Sequence, residues 1–117
     1  MRVSKALKEK QRAYAQQLLA SLGRQLASRG IEAELVTDQE ERPRLEVADC
    51  RRRVRRVYAH LPFCWFYWGD QPDERVSFLN MDTAVNRVEE AARQGWHEGE
   101  QGELTIDFSK IAAAYRD

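Results

Sequence analysis

The sequence predicts an α+β fold: a two-layer sandwich in which an antiparallel meander of three to five strands is flanked by a long N-terminal helix and a C-terminal helix. Three observations point there. Apolar residues at helical spacing occupy the first quarter of the chain. Two-residue alternation broken by short polar stretches occupies the middle, and helical spacing returns after residue 80. Consecutive strands with short connections pair as a meander, and helices before and after such a sheet pack on it as a second layer.

The first helix is predicted over residues 4–29, with Ser4 as N-cap. Leu7, Tyr14, Leu18, Leu22 and Leu26 mark its apolar stripe, which Ala15 and Leu19 widen. Gly30 stands where a left-handed residue ends a helix. "IEAELV" (31–36) then alternates, with Ile31, Ala33 and Leu35 on one face. "TDQEERP" is a hairpin loop, and "RLEVADC" (44–50) returns with Leu45 and Val47 inward. "RRRVRRVYAHL" (51–61) places Val57, Ala59 and Leu61 on one side and Arg56, Tyr58 and His60 on the other. Pro62 ends that strand or marks a bulge. "FCWFYWGD" (63–70) is the next strand, closed by the turn residues 69–73, and "RVSFLN" adds an edge strand. Asn80 or Asp82 caps a second helix over 82–94, striped by Ala84, Val85, Val88, Ala91 and Ala92 and stopped by Gly95. Residues 1–95 thus read as the core domain. Residues 96–117 read as a tail with a short strand at 104–108 and a helical turn or two after Ser109, packing on the core or on a partner.

The succession of "PRLEV", "WFYWGD" and "DTAVNRVEEAARQG" resembles the layout of small actinobacterial proteins in which an N-terminal helix, a tryptophan–glycine strand and an Ala-rich closing helix follow one another. The resemblance spans roughly residues 5 to 95. It implies this topology and a bacterial, cytosolic origin, and it assigns no functional residue.

Composition narrows the function classes. With 117 residues the chain is one domain, and with 43% hydrophobic and 32% charged residues it is globular. Nineteen basic and nineteen acidic residues cancel, so bulk charge favours neither nucleic acid nor membrane. The N-terminus has no apolar signal region, and no apolar run is long enough to span a bilayer. Cys50 and Cys64 are therefore expected as reduced thiols in a cytoplasmic protein. Cys50, His60, Cys64 and His97 lack the paired spacing of a zinc site, so neither a metal nor a cofactor is expected. No nucleophile elbow, phosphate loop or dinucleotide fingerprint is present, and the expectation is a protein that is not an enzyme.

Two stretches remain. The first is the aromatic strand. Alternation puts Cys64, Phe66 and Trp68 on one face and Phe63, Trp65 and Tyr67 on the other. A half-exposed antiparallel strand alternates apolar with polar, and this one does not. Both faces need a cover: the first helix on one, and the C-terminal segment, a second copy or a partner protein on the other. The expected function is a protein-binding accessory or regulatory module, of adaptor, chaperone-like or antitoxin/immunity-like type and homodimeric. Phe63, Trp65, Tyr67 and Tyr58 would form its contact and Arg55 and Arg56 its rim. The second stretch is basic: Arg51, Arg52, Arg53, Arg55 and Arg56. Beside the same rings it supplies the ingredients of a sheet-type nucleic-acid binder, which is the alternative.

Overall fold

The computed structural model describes residues 5–98. Helix α1 runs from Lys5 to Ser28. Strands β1 (Ala33–Thr37), β2 (Pro43–Ala48), β3 (Val54–His60), β4 (Trp65–Tyr67) and β5 (Arg75–Ser77) follow, and helix α2 (Met81–Gln94) closes the order. A 3-10 turn at Pro72–Glu74 leads into β5. The five strands form one antiparallel meander in sequence order, and the fold is the predicted α+β sandwich. Ser4, the expected strand at 104–108 and the helical turn after Ser109 lie outside the described residues.

Both helices cover one sheet face. Leu19, Leu22 and Leu26 of α1 and Ala84, Val85, Val88 and Ala92 of α2 close over Leu45, Val47, Val57 and Phe66. The helix ends are tied together as well. The Arg29 guanidinium donates to Asn86 and Glu89 at 2.7 Å each, and Arg93 donates to the Arg29 carbonyl at 2.9 Å. Gly30 and Gly95 end their helices at φ 81° and 95°, where a side chain would be strained. Asn80 is the α2 cap, accepting from the Thr83 amide at 3.2 Å.

The helix stripe is shorter than its sequence spacing predicts. Leu7 and Tyr14 are 45% and 48% exposed. Twenty-four helical residues reach about 36 Å, whereas strands of three to seven residues reach at most about 24 Å, so the first turns of α1 pass beyond the sheet. The core also runs past the expected boundary at residue 95. Trp96 is buried, 6.3 Å from Trp68 between ring centroids.

Two strands are shorter than predicted because their ends turn. Cys64 takes φ 56°, closing the β3–β4 connection with its amide on the Leu61 carbonyl at 3.0 Å. The aromatic strand is therefore 65–67 rather than 63–68. Arg51, Arg52 and Arg53 belong to the β2–β3 turn instead of an extended strand, and Arg52 sits at φ 62°. Arg52 is exposed and its Cβ costs energy in that conformation. Arg52→Gly is expected to stabilise the fold by about 0.5–1 kcal/mol, read as a higher urea midpoint at unchanged slope.

Candidate functional site: the sheet face opposite the helices

The face opposite the helices is built by alternation. In the register of the meander, Glu46 stands opposite Arg56, Tyr58 opposite Tyr67, His60 opposite Trp65, and Tyr67 opposite Arg75. Side chains two apart share a face, so Arg44, Glu46, Arg56, Tyr58, His60, Trp65, Tyr67 and Arg75 form one surface.

The rings are organised as two groups. Tyr58 and Tyr67 stack with centroids 5.8 Å apart, and the Arg42 guanidinium lies 3.8 Å from the Tyr58 centroid. These tyrosines are 2% and 4% exposed. Burial pushes the Tyr67 hydroxyl above its ordinary range, against the opposing pull of Arg42. The second group is a stack. Phe63 lies 5.1 Å from His60 and 4.9 Å from Trp65, and the Arg75 guanidinium lies 4.5 Å from the Trp65 ring centre. Partial burial holds the His60 imidazole below its ordinary value, so it is neutral near pH 7. Phe63, which alternation placed on this face as a strand residue, reaches it from the turn instead.

Arginines at the loop and strand positions carry the charge. Arg42 bonds Asp38 at 3.4 Å, and Arg44 bonds Glu46 at 3.0 Å. Burial pushes the Asp38 carboxyl up, but the Arg42 and Glu40 amides and the Arg42 charge outweigh it and hold Asp38 below the usual carboxylate range.

The basic run is not gathered on this face. Arg55 was expected at the rim beside Arg56. It points to the helix side, is 8% exposed, and bonds Glu74 at 3.0 Å and the His97 carbonyl at 2.6 Å. Its strand neighbours across β2 are core residues, so the one-residue offset from Arg56 decides the matter. Arg51 pairs with Glu98 at 2.9 Å. Arg53 bonds Asp49 at 3.1 Å and the Trp96 carbonyl at 2.6 Å. Arg52 stands exposed in the turn. Of the five, Arg56 alone shares the ring face. Phe63, Trp65, Tyr67 and Tyr58 are brought together, and Arg42, Arg44 and Arg75 join them. Arg75 stands directly opposite Tyr67, whereas Arg42 precedes β2 and reaches Tyr58 from the loop.

A second concavity, of about 230 Å³, lies between the α2 C-terminus and the 3-10 turn, lined by Trp68, Trp96, Asp73, His97 and Arg87. Asp73 and His97 are 2.8 Å apart, and with Glu74 they place possible ligand atoms within 4.8 Å of one another. Glu74 is already bound by Arg55, and that positive charge opposes a cation there. No Ser, Thr or Cys is among the described residues that line it. Glu74 also explains the Trp-Gly-Asp sequence. A Cβ on Gly69 would fall 2.2 Å from the Glu74 carboxylate. Gly69→Ala is expected to cost about 1–3 kcal/mol, read by thermal or urea unfolding.

Cys50 and Cys64 are free thiols, and no helix among the described residues is long and apolar enough to cross a membrane. No family model matches this chain, and no curated protein or solved structure matches it either.

Proposed function

We propose that the protein is a non-enzymatic interaction module that binds a partner protein through the sheet face opposite the helices. The observation that carries this reading is the stack His60–Phe63–Trp65 with Arg75, continuous with Arg42 on Tyr58, on the face that neither helix covers. Aromatic residues and arginine dominate interface hot spots because they bring large rigid area and directional charge together. The arginines select the partner's chemistry: an apolar segment flanked by acids.

The arrangement speaks against a base-stacking role. A base-reading sheet offers ring faces to the bases. Here Tyr58 and Tyr67 stack on each other and are buried, and Phe63 already stacks on both His60 and Trp65. Arg51, Arg53 and Arg55, needed for phosphates, are engaged in internal pairs.

Trp65 is half-buried and its truncation leaves the helix-side core intact. Trp65→Ala is therefore expected to weaken partner binding roughly 30-fold or more while retaining the circular dichroism of the parent. The measurement is quantitative comparison of the proteins that co-purify with each full-length form from host extract, with light scattering on the isolated protein to register self-association. If the same proteins, in the same amounts, accompany the parent and the variant, the face is not the binding surface. A variant that unfolds points to internal packing as the purpose of the rings, and Arg75→Glu, at a partly exposed position, then tests the face without removing a ring.

A further inference from the structure

We propose that the outer edge of β1 pairs antiparallel with β1 of a second copy of this chain, joining two five-stranded sheets about a two-fold axis. The inference concerns the sheet edge and is independent of the reading of the ring face.

The edge strands are the first observation. In the order β1-β2-β3-β4-β5, β1 has a strand neighbour on one side alone among the described residues. Such an edge is a template for another strand, and edges kept from pairing are short, bulged, or carry Pro or basic residues. β5 is of that kind, with three residues beginning at Arg75. β1 is not: its five residues hold no Pro, Lys or Arg, and its register against β2 runs without a bulge. Gly23 of α1 lies against Ala33, whereas Leu35, on the same face, stays 38% exposed.

The backbone is the second. The Asp38 amide donates to the Arg42 carbonyl and the Ala48 amide to the Glu32 carbonyl, both at 3.0 Å. Bonded and non-bonded pairs alternate along an antiparallel ladder, so Glu34 and Val36 also turn their backbone groups to β2. Ala33, Leu35 and Thr37 therefore turn theirs outward. All five residues overlap a second β1 only where Leu35 meets its own counterpart. In that register Ala33 meets Thr37, and each of these outward pairs can exchange two hydrogen bonds. Glu34 falls opposite Val36, so no like charges face each other within the strand. At the margins Glu32 would meet Asp38, but Asp38 is turned back onto the Glu40 and Arg42 amides of its own loop.

The third observation selects a second copy as the occupant. Within one chain Glu34 stands opposite Glu46, an unfavourable like-charge pair. Arg44 bonds Glu46 at 3.0 Å, and Glu34 has no ion-pair partner among the described residues. In the dimer Glu34 lies beside Val36 of the second copy, and Arg44 of that copy is next in the row. Two strand spacings, about 9.6 Å, separate their backbones, a gap that extended Glu and Arg side chains bridge. Arg44 gives Nε and Nη2 to Glu46, which leaves Nη1 for the incoming carboxylate. The second copy thus supplies the cation that Glu34 lacks, twice by symmetry. The axis is perpendicular to the sheet, so both ring faces lie on one side of the dimer.

Sedimentation velocity of the full chain over a concentration series tests this. A monomer–dimer equilibrium with Kd on the order of tens of micromolar is expected, because five residues a side fall short of the roughly 20–30 of a standard interface. A chain that stays monomeric up to about 1 mM overturns the proposal. Leu35→Pro removes the central outward amide and spares the bonds to β2, so it is expected to raise the dimer Kd at least about tenfold at unchanged circular dichroism. An equally tight dimer in this variant overturns the proposal, and if Trp65→Ala dissolves it instead, the second copy sits on the ring face. Leu35→Cys keeps the test open should the proline variant not fold. Directly opposed bonded residues have Cα atoms about 5.5 Å apart, within disulfide range, so mild oxidation is expected to link residue 35 to residue 35. Cys50 and Cys64 are free, and peptide mapping separates their products from this link. Absence of the 35–35 link overturns the register.

Discussion

Glu74→Ala is expected to destabilise the protein by about 3–5 kcal/mol, a large share of the roughly 5–15 kcal/mol that holds a domain of this size. Glu74 is 4% exposed, and its Oε2 accepts from Arg55 at 3.0 Å. Removing the carboxylate leaves a buried guanidinium that keeps the neutral His97 carbonyl and loses its counter-charge. A guanidinium does not shed its proton, so the desolvation cost cannot be escaped by neutralisation. The double variant Arg55→Met/Glu74→Leu is expected to be more stable than Glu74→Ala, because it removes the charge along with its partner. Urea unfolding of the parent and both variants measures this. If Glu74→Ala shifts the midpoint no more than a surface substitution, the pair is not a structural anchor. The same experiment bears on function, because it shows that Arg55 serves the fold rather than the binding face.

Asp49→Asn is expected to cost about 2–4 kcal/mol at pH 7 and to flatten the acid limb of the stability profile. Asp49 Oδ1 accepts from the amides of Arg51 and Arg53 at 2.9 and 2.8 Å. Its Oδ2 accepts from the Trp96 amide at 2.9 Å and from the Arg53 guanidinium at 3.1 Å. One carboxylate thereby shapes the β2–β3 turn and fastens Trp96, two residues past α2, to it. Burial pushes this carboxyl up, but the amides of Trp96, Arg53 and Arg51 and the Arg53 side chain together pull it below the ordinary value. A depressed carboxyl contributes stability that is fully present above its unfolded pKa of about 4 and is lost as pH falls through the folded value. The gap between parent and Asp49→Asn should accordingly be full at pH 7 and shrink below pH ~4. A gap that is constant down to pH 2 would falsify the assignment. Asp38 is depressed as well and is untouched by the substitution, so the variant keeps part of the acid sensitivity.

These two carboxylates were the residues least legible in the sequence. Asp49 reads as the end of a strand and Glu74 as one of several acids in a turn. An Asp before a tight turn accepts local amides readily, and that was the available signal for Asp49. Nothing local marks Glu74, because its partner is nineteen residues away on another strand. Trp96 was assigned to a tail for the same reason, since Gly95 ends the helix while the indole of the next residue packs 6.3 Å from Trp68. The ring face was more legible. Alternation put Phe63, Trp65 and Tyr67 together, and the structure keeps that result, whereas Arg55, expected at the rim beside Arg56, is buried on the helix side.

Order, meander topology and helix ends were written in short-range patterns: periods of 3.6 and 2, Gly30 and Gly95 as stops, Asn80 as a cap. Such features depend on backbone preferences and on neighbours a few residues away, which a linear reading contains. Tertiary packing alone decided which arginines meet solvent, ring or carboxylate. Guanidinium groups are flexible and always charged, so their place follows from whatever carboxylates and rings the fold brings within reach. For "FCWFYWGD" that division is plain. Its two-sided aromatic character is local, whereas the burial of Phe66 and Trp68 on the helix side, and the stacking of Trp65 with Arg75 and of Tyr67 with Tyr58 on the far side, come from the assembled sheet.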